Sequence, residues 1–176
     1  MPRKYRRMLT DWQAPYIQSL FRLIETQSKT TIANWCVNYA ETRLLPIYQK
    51  SIPCDLRPES AIIAARKCLD GELKLPEAKK IILECNDAAR NAENNPTAQA
   101  SARAIGQCAS TIHAATHSAG LLFYGALAVA YDMLGIDAEW NELLSAAEME
   151  CGLMQAALQN IAVENEPNPA KINWKC

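Results

Sequence analysis

Residues 95–120 read NPTAQASARAIGQCASTIHAATHSAG, and this stretch decides the fold. Asn95 is a helix-capping residue, and Pro96 suits a first helical turn, where no N–H is needed. Alanine then dominates, interrupted only by short or polar side chains. Ala102, Ile105, Ala109, Ile112 and Ala115 cover most sides of a helix drawn through them. A helix apolar on most sides belongs at the centre of a bundle. The spacing predicts one long central helix from Pro96 to about Thr116 or His117, with a break at Gly120.

Working outward, prolines and glycines punctuate the rest of the chain. The periodicity predicts a first helix over 11–28, with Trp12, Tyr16, Leu20, Leu23 and Ile24 on one face. A second spans about 30–48, where Ile32, Trp35, Cys36, Tyr39 and Arg43 share a face; Pro46 should kink or end it. Pro58 opens a third, stopping at Gly71, and Pro76 opens a fourth, to about Glu93. After the central helix come a sixth, 121–134, stopping at Gly135, and a seventh, from a cap at Asp137 to Val163. The fold class is therefore all-α: a single-domain bundle of six or seven helices around an Ala-rich central one. Residues 1–10 read as a basic arm, 11–163 as the helical domain, and 164–176 as an extended tail that Trp174 could anchor.

Composition agrees. Of 176 residues, 49% are hydrophobic but only 7% aromatic, with six glycines. That is an aliphatic, helix-forming balance poor in strand formers. The formal net charge of −1 gives no reason to expect nucleic acid or an acidic membrane as partner. Only MPRKYRR at the N-terminus is locally basic. Seven cysteines, at 36, 54, 68, 85, 108, 151 and 176, form no CxxC or CxxH pair. Most fall within apolar helical patterns, as reduced thiols used as small hydrophobes. No signal peptide precedes Met8 and no apolar run reaches membrane-spanning length, so the expectation is a soluble, cytoplasmic protein.

His113 and His117 are the chain's two histidines. On the predicted helix they extend a polar stripe of Arg103, Gln107 and Ser110 at steps of three and four. Three readings compete. A metal site needs further ligands, and the zincin pattern needs Glu after the first His, where this chain has Ala114. Acid–base chemistry needs a carboxylate beside one imidazole at an open cleft, with Asp55 or Asp87 as sources. The third reading, favoured here, is a polar lock in which neutral imidazoles bridge neighbouring helices. Partners for that lock would come from Asp55, Glu59, Asn86, Asp87, Tyr39 and Tyr124. No phosphate loop, nucleophile elbow or ExxH motif is present, so no catalytic residue, metal or cofactor is expected.

Two further patterns bear on function. The triplets Ala64–Arg66, Ala88–Arg90 and Ser101–Arg103 place an arginine on three successive Ala-rich helices. These arginines could mark a duplication or converge on carboxylates between helices. The acidic residues of the last helix (Asp137, Glu139, Glu142, Glu148, Glu150) read as a solvated face.

The run CDLRPESAIIAARKCLDGEL…AKKIILECNDAARNA…ASARAIGQCASTIHAATHSAGLLFYGALA, about 53–131, resembles a family of bacterial immunity proteins, the immunity-five-like domain. The resemblance rests on Asp-x-Arg before the third helix, the three Arg-bearing helices, Thr-x-His-x-x-x-His and the following Tyr124. It implies an all-helical cytosolic protein that binds and neutralises a cognate toxin without catalysis. Where that family shows histidines, this chain has Asn86 and Gln107, which hydrogen-bond but do not titrate near neutrality. The alternative is a small-molecule-binding protein or enzyme. Its pocket would be lined by Asp55, Arg57, Arg66, Asn86, Arg90, Arg103, Gln107, His113, His117 and Tyr124. Beyond the toxin, a second copy of the chain is a candidate partner; nucleic acid and membrane are not.

Overall fold

The computed structural model describes residues 5–175, so Arg3 and Lys4 of the basic arm and Cys176 lie outside the described residues. The architecture is all-α and single-domain. Eight α-helices are present among the described residues: α1 (Pro15–Ile24), α2 (Lys29–Tyr39), α3 (Leu45–Ser51), α4 (Arg57–Leu69), α5 (Leu75–Asn91), α6 (Pro96–Ser110), α7 (Ala126–Leu134) and α8 (Trp140–Ile161). A π-helical turn, Ala40–Leu44, joins α2 to α3, and another, Leu121–Gly125, leads into α7. The eight therefore make seven rods.

Local chemistry sets the ends. Proline occupies the first or second position of α1, α3, α4, α5 and α6. Ser28 caps α2 by accepting from the Thr31 N–H, and Asn95 caps α6 by accepting from the Ala98 N–H at 3.0 Å. Gly71 (φ 76°) and Gly135 (φ 84°) take the left-handed conformation just past α4 and α7. Pro46 does not end its helix. The preceding turn widens instead, with the Leu45 N–H donating to the Ala40 carbonyl, and the rod runs on to Ser51. The last helix is capped by Glu139 rather than Asp137: Glu139 and Glu142 form a reciprocal capping box.

α6 is the central element, in contact with α2, α3, α4, α5 and α7. Its alanines at 98, 100, 102, 104 and 109 are all buried, as are Ile105, Gly106 and Cys108. Short side chains let five helices crowd one axis, and larger residues on the neighbours fill the gaps. Trp35 of α2, Tyr48 of α3 and Phe123 before α7 are fully buried, as are Ile17 and Leu20 of α1, which packs on α8. Of the aromatics at the start of the chain, Phe21 and Trp35 are core, Tyr16 and Tyr39 are partly buried against it, and Trp12, just before α1, is partly exposed. Trp12 packs on Phe123 with ring centroids 4.3 Å apart, and Trp35 Nε1 donates to the Met154 carbonyl at 3.0 Å.

Both ends of the described segment lie against this body. The Leu9 N–H donates to the Phe123 carbonyl at 2.9 Å, and the Arg6 guanidinium sits 4.0 Å over the Trp140 ring. Past α8, the buried Gln27 side chain grips Val163 through the Val163 N–H at 2.7 Å and the Val163 carbonyl at 3.2 Å. Trp174 stacks on Phe21 at 4.0 Å and donates Nε1 to Glu25 at 2.5 Å. No helix among the described residues is long and apolar enough to cross a membrane. The described cysteines are free thiols.

Candidate functional site

The predicted central helix is too long. α6 stops at Ser110, Ala114 is extended (φ −144°, ψ 117°), and Ala115–Ser118 form a separate 3-10 turn. Side chains compete with the helix ladder here. Ser110 Oγ donates back to the Gly106 carbonyl, Thr111 Oγ1 to Cys108, and Ser118 Oγ to Ala115. His113 and His117 therefore do not extend the α6 stripe by helical spacing. The turn nonetheless folds them together, with ring centroids 5.0 Å apart in an edge-to-face arrangement.

The fold-back returns the chain to α6. A Cβ at Gly120 would lie 2.3 Å from Gln107 Cβ, so only glycine allows this approach. Gln107, pinned against Gly120, accepts a hydrogen bond at 2.8 Å from His117 Nδ1, which must therefore carry its proton. On the other side, Asn86 Oδ1 comes within 3.1 Å of a Cβ placed at Gly106. The result is a polar cluster beside α6: Gln107 meets His117, His113 stands against His117, and Asn86 of α5 lies beside Gly106.

The charged side chains acting on the two imidazoles are all positive. Burial lowers the His113 pKa, and neighbouring His117, Lys79 and Lys29 lower it further. His117 is lowered by burial and then by Lys79. Both imidazoles are therefore neutral at pH 7. None of the carboxylates expected as partners for them fills that role; Gln107 does. Among the described residues, two buried side-chain atoms have no hydrogen-bond partner: Arg103 Nε and His113 Nδ1. Leaving such a donor or acceptor unmet costs about 1–3 kcal/mol.

Asp55, Arg57, Arg66 and Arg90 form separate pairs and do not join the cluster at His117. Asp55 accepts from Tyr48 at 2.7 Å and from both Arg57 Nε (2.9 Å) and a terminal Arg57 nitrogen (2.7 Å). The Arg57 guanidinium, with help from Tyr48, brings the Asp55 pKa down to about 2. Arg66 reaches across from α4 to Asn38 (3.0 Å) and Glu41 (2.5 Å). Arg90 pairs with Asp87 on its own helix. The three arginines of the repeated triplets thus do not converge: one bridges helices, one stays local, and Arg103 is unpaired.

Sequence reasoning missed a second polar centre. Glu150, expected on a solvated face, is 3% exposed. It accepts from Tyr39 Oη at 2.5 Å and from Arg43 through two nitrogens, each at 3.0 Å. Burial and the Glu150 carboxylate push the Tyr39 pKa well up. The signal was present: Leu143, Ala147, Glu150, Met154 and Leu158 recur at steps of three and four, so Glu150 stands in core register. The π turn carries Arg43 to meet it.

The body is all-α, with one closed charge centre at Glu150 and a polar cluster at Gln107 and His117 whose neighbour His113 keeps an unmet ring nitrogen. The chain belongs to the family described as Imm-5 like putative immunity protein, which matches residues 22–156. That match reaches from α1 into α8, well past the 53–131 core of the sequence resemblance. No curated protein and no solved structure matches the chain.

Proposed function

We propose that this protein is a non-catalytic immunity protein that neutralises a cognate bacterial toxin in the cytoplasm by binding it directly. Membership of an immunity family over residues 22–156 carries the reading. The engagement of most polar candidates by partners within the chain supports it. Asp55, Arg57, Arg66, Arg90, Gln107 and His117 all have internal partners, as scaffold side chains do. The histidines, held neutral by burial, suit hydrogen bonding within a preformed surface.

The test is co-expression with candidate toxins, first among them any that a neighbouring gene encodes. A binder restores growth only when present in at least stoichiometric amount, and it co-elutes with the toxin as a stable complex. Absence of rescue and of any complex would refute the reading. Protection by trace amounts, with the toxin or its product chemically altered, would turn it into an enzyme.

A further inference from the structure

We propose that the outer face of α8 pairs with the same face of a second copy of this chain, the two helices running antiparallel about Gly152. The inference is independent of the immunity reading.

The argument begins with what α8 leaves uncovered. Its inner face, Leu143, Ala147, Glu150, Met154 and Leu158, is buried against the bundle. On the opposite side Met149 is 71% exposed, and Leu153, one turn further on, is 58% exposed. At helical spacing they share a stripe with Ser145, Gly152, Ala156 and Asn160, all of them exposed. Elsewhere, the exposed Leu56 and Ile63 of the α4 region, and Leu75 and Leu83 of α5, stand two turns apart with Ser60 and Lys79 between them. On α8 no polar side chain separates the two large ones on their face. An apolar face of this kind on an otherwise polar surface marks a contact with another molecule.

Gly152 points the same way. A glycine inside a helix destabilises it relative to alanine. A Cβ built on Gly152 would meet nothing within 4 Å, so no contact within the chain calls for glycine here. What the missing side chain leaves is a notch beside Met149 and Leu153, open to a close approach from outside.

The stripe is its own complement. A two-fold axis between Gly152 and Leu153 sets Met149 against the partner's Ala156 and Leu153 against the partner's Gly152. Large meets small at each step, as close helix packing and an isologous interface require. A parallel pairing would instead oppose Met149 to Met149 and leave two glycines facing across a gap. Charge favours the antiparallel arrangement as well. α8 carries Glu142, Glu148 and the buried Glu150 in its first half and no charged residue in its second. Gln155 and Gln159 flank the stripe on the same side as Glu148. The two-fold brings the Glu148 carboxylate beside those amides of the other copy, which can donate to it. A uniformly basic partner would match only the acidic half of the face, whereas a second copy matches both halves. Two helices meeting over about four turns bury about 1,000 Å² in total, at the lower limit for a specific interface, so the dimer forms at micromolar concentrations.

The experiment follows the mass of the purified full chain by sedimentation velocity from about 1 to about 200 μM. Wild type should pass from monomer to dimer across that range. Leu153→Lys and Gly152→Gln should each weaken association about tenfold or more, and the exposure of both positions lets the fold tolerate them. Gln is a far better helix former than Gly, so Gly152→Gln should also raise the melting temperature of the dilute monomer by about 1–4 °C. Stability and association moving in opposite directions would separate an interface from a damaged fold. In a Cys54→Ser background, Ser145→Cys mixed with Asn160→Cys should cross-link on mild oxidation, while Ser145→Cys alone should not; the reverse pattern would overturn the antiparallel arrangement. A monomer at every concentration, or a dimer that neither variant disturbs, would overturn the inference and spare the immunity reading. A monomer whose Leu153→Lys variant no longer protects against the toxin would reassign the face to the toxin.

Discussion

The two polar centres of this bundle use similar side chains to opposite ends. Around Glu150, a buried carboxylate meets a tyrosine hydroxyl and two guanidinium nitrogens, and the acceptors and donors balance. At Arg103 Nε on α6, and at His113 Nδ1 on the turn after it, a buried nitrogen has no partner among the described residues. The first centre ties α8 to the α2–α3 rod and is closed. The second region leaves two buried nitrogens unmet. Polar residues inside a helical protein are therefore not one class: satisfied groups help hold the fold, and unmet ones carry a cost.

The comparison breaks most visibly at Glu150. Glu150→Ala leaves the Tyr39 hydroxyl and the Arg43 guanidinium without their shared acceptor in a site from which water is largely excluded. Removing one partner of a buried pair costs about 3–5 kcal/mol, and the partial exposure of Arg43 places this case near the lower end, about 3 kcal/mol. Thermal melts should show a drop of roughly 6–12 °C for a domain of this size. A drop of only a degree or two would mean that the centre is not a structural keystone.

Asp55 gives a smaller and pH-resolved version of the same test. Its folded pKa, held near 2 by Arg57 and Tyr48, lies below the ordinary value of 3.8. The folded state thus binds the proton less readily than the unfolded chain. The stabilisation is complete above about pH 4 and is lost as pH falls through about 2, an effect of roughly 2 kcal/mol. Denaturant unfolding of wild type and Asp55→Asn between pH 5 and pH 2 should show the two converging at the acid end. A constant gap would disprove the linkage.

These two centres differ in legibility as well. The helices could be read because proline at helix starts and glycine past helix ends are rules of local backbone chemistry, as at Pro58, Pro76, Gly71 and Gly135. The end of α6 could not, because it depends on tertiary contact. Nothing local in STIHAATHSAG shows that Gln107 needs Gly120 beside it, yet that approach turns the chain at Ser110. His113 and His117 were correctly singled out as neighbours, for a reason that proved wrong: a turn rather than a helix face brings them together. Glu150 was hidden by its charge, since an acidic residue among acidic residues reads as solvent-facing until its core register is counted. The separation of Asp55, Arg66 and Arg90 into different pairs depends on side-chain reach, which spacing does not encode.

The smallest predicted effect on stability is the sharpest test of the contrast. If Arg103 served the fold as Glu150 does, replacing it would destabilise the bundle by several kcal/mol. Arg103→Met keeps an apolar stem of similar length along α6 and removes a buried Nε that has no acceptor. The loss is then confined to a few packing contacts, and relief of the unmet donor offsets it. The variant should melt within about 1 kcal/mol of wild type, with any change on the stabilising side. Equal melting curves for Arg103→Met and wild type, beside a collapsed Glu150→Ala, would show that the central helix carries its arginine for something other than its own stability. A large loss at Arg103 would instead join the two centres into one structural class.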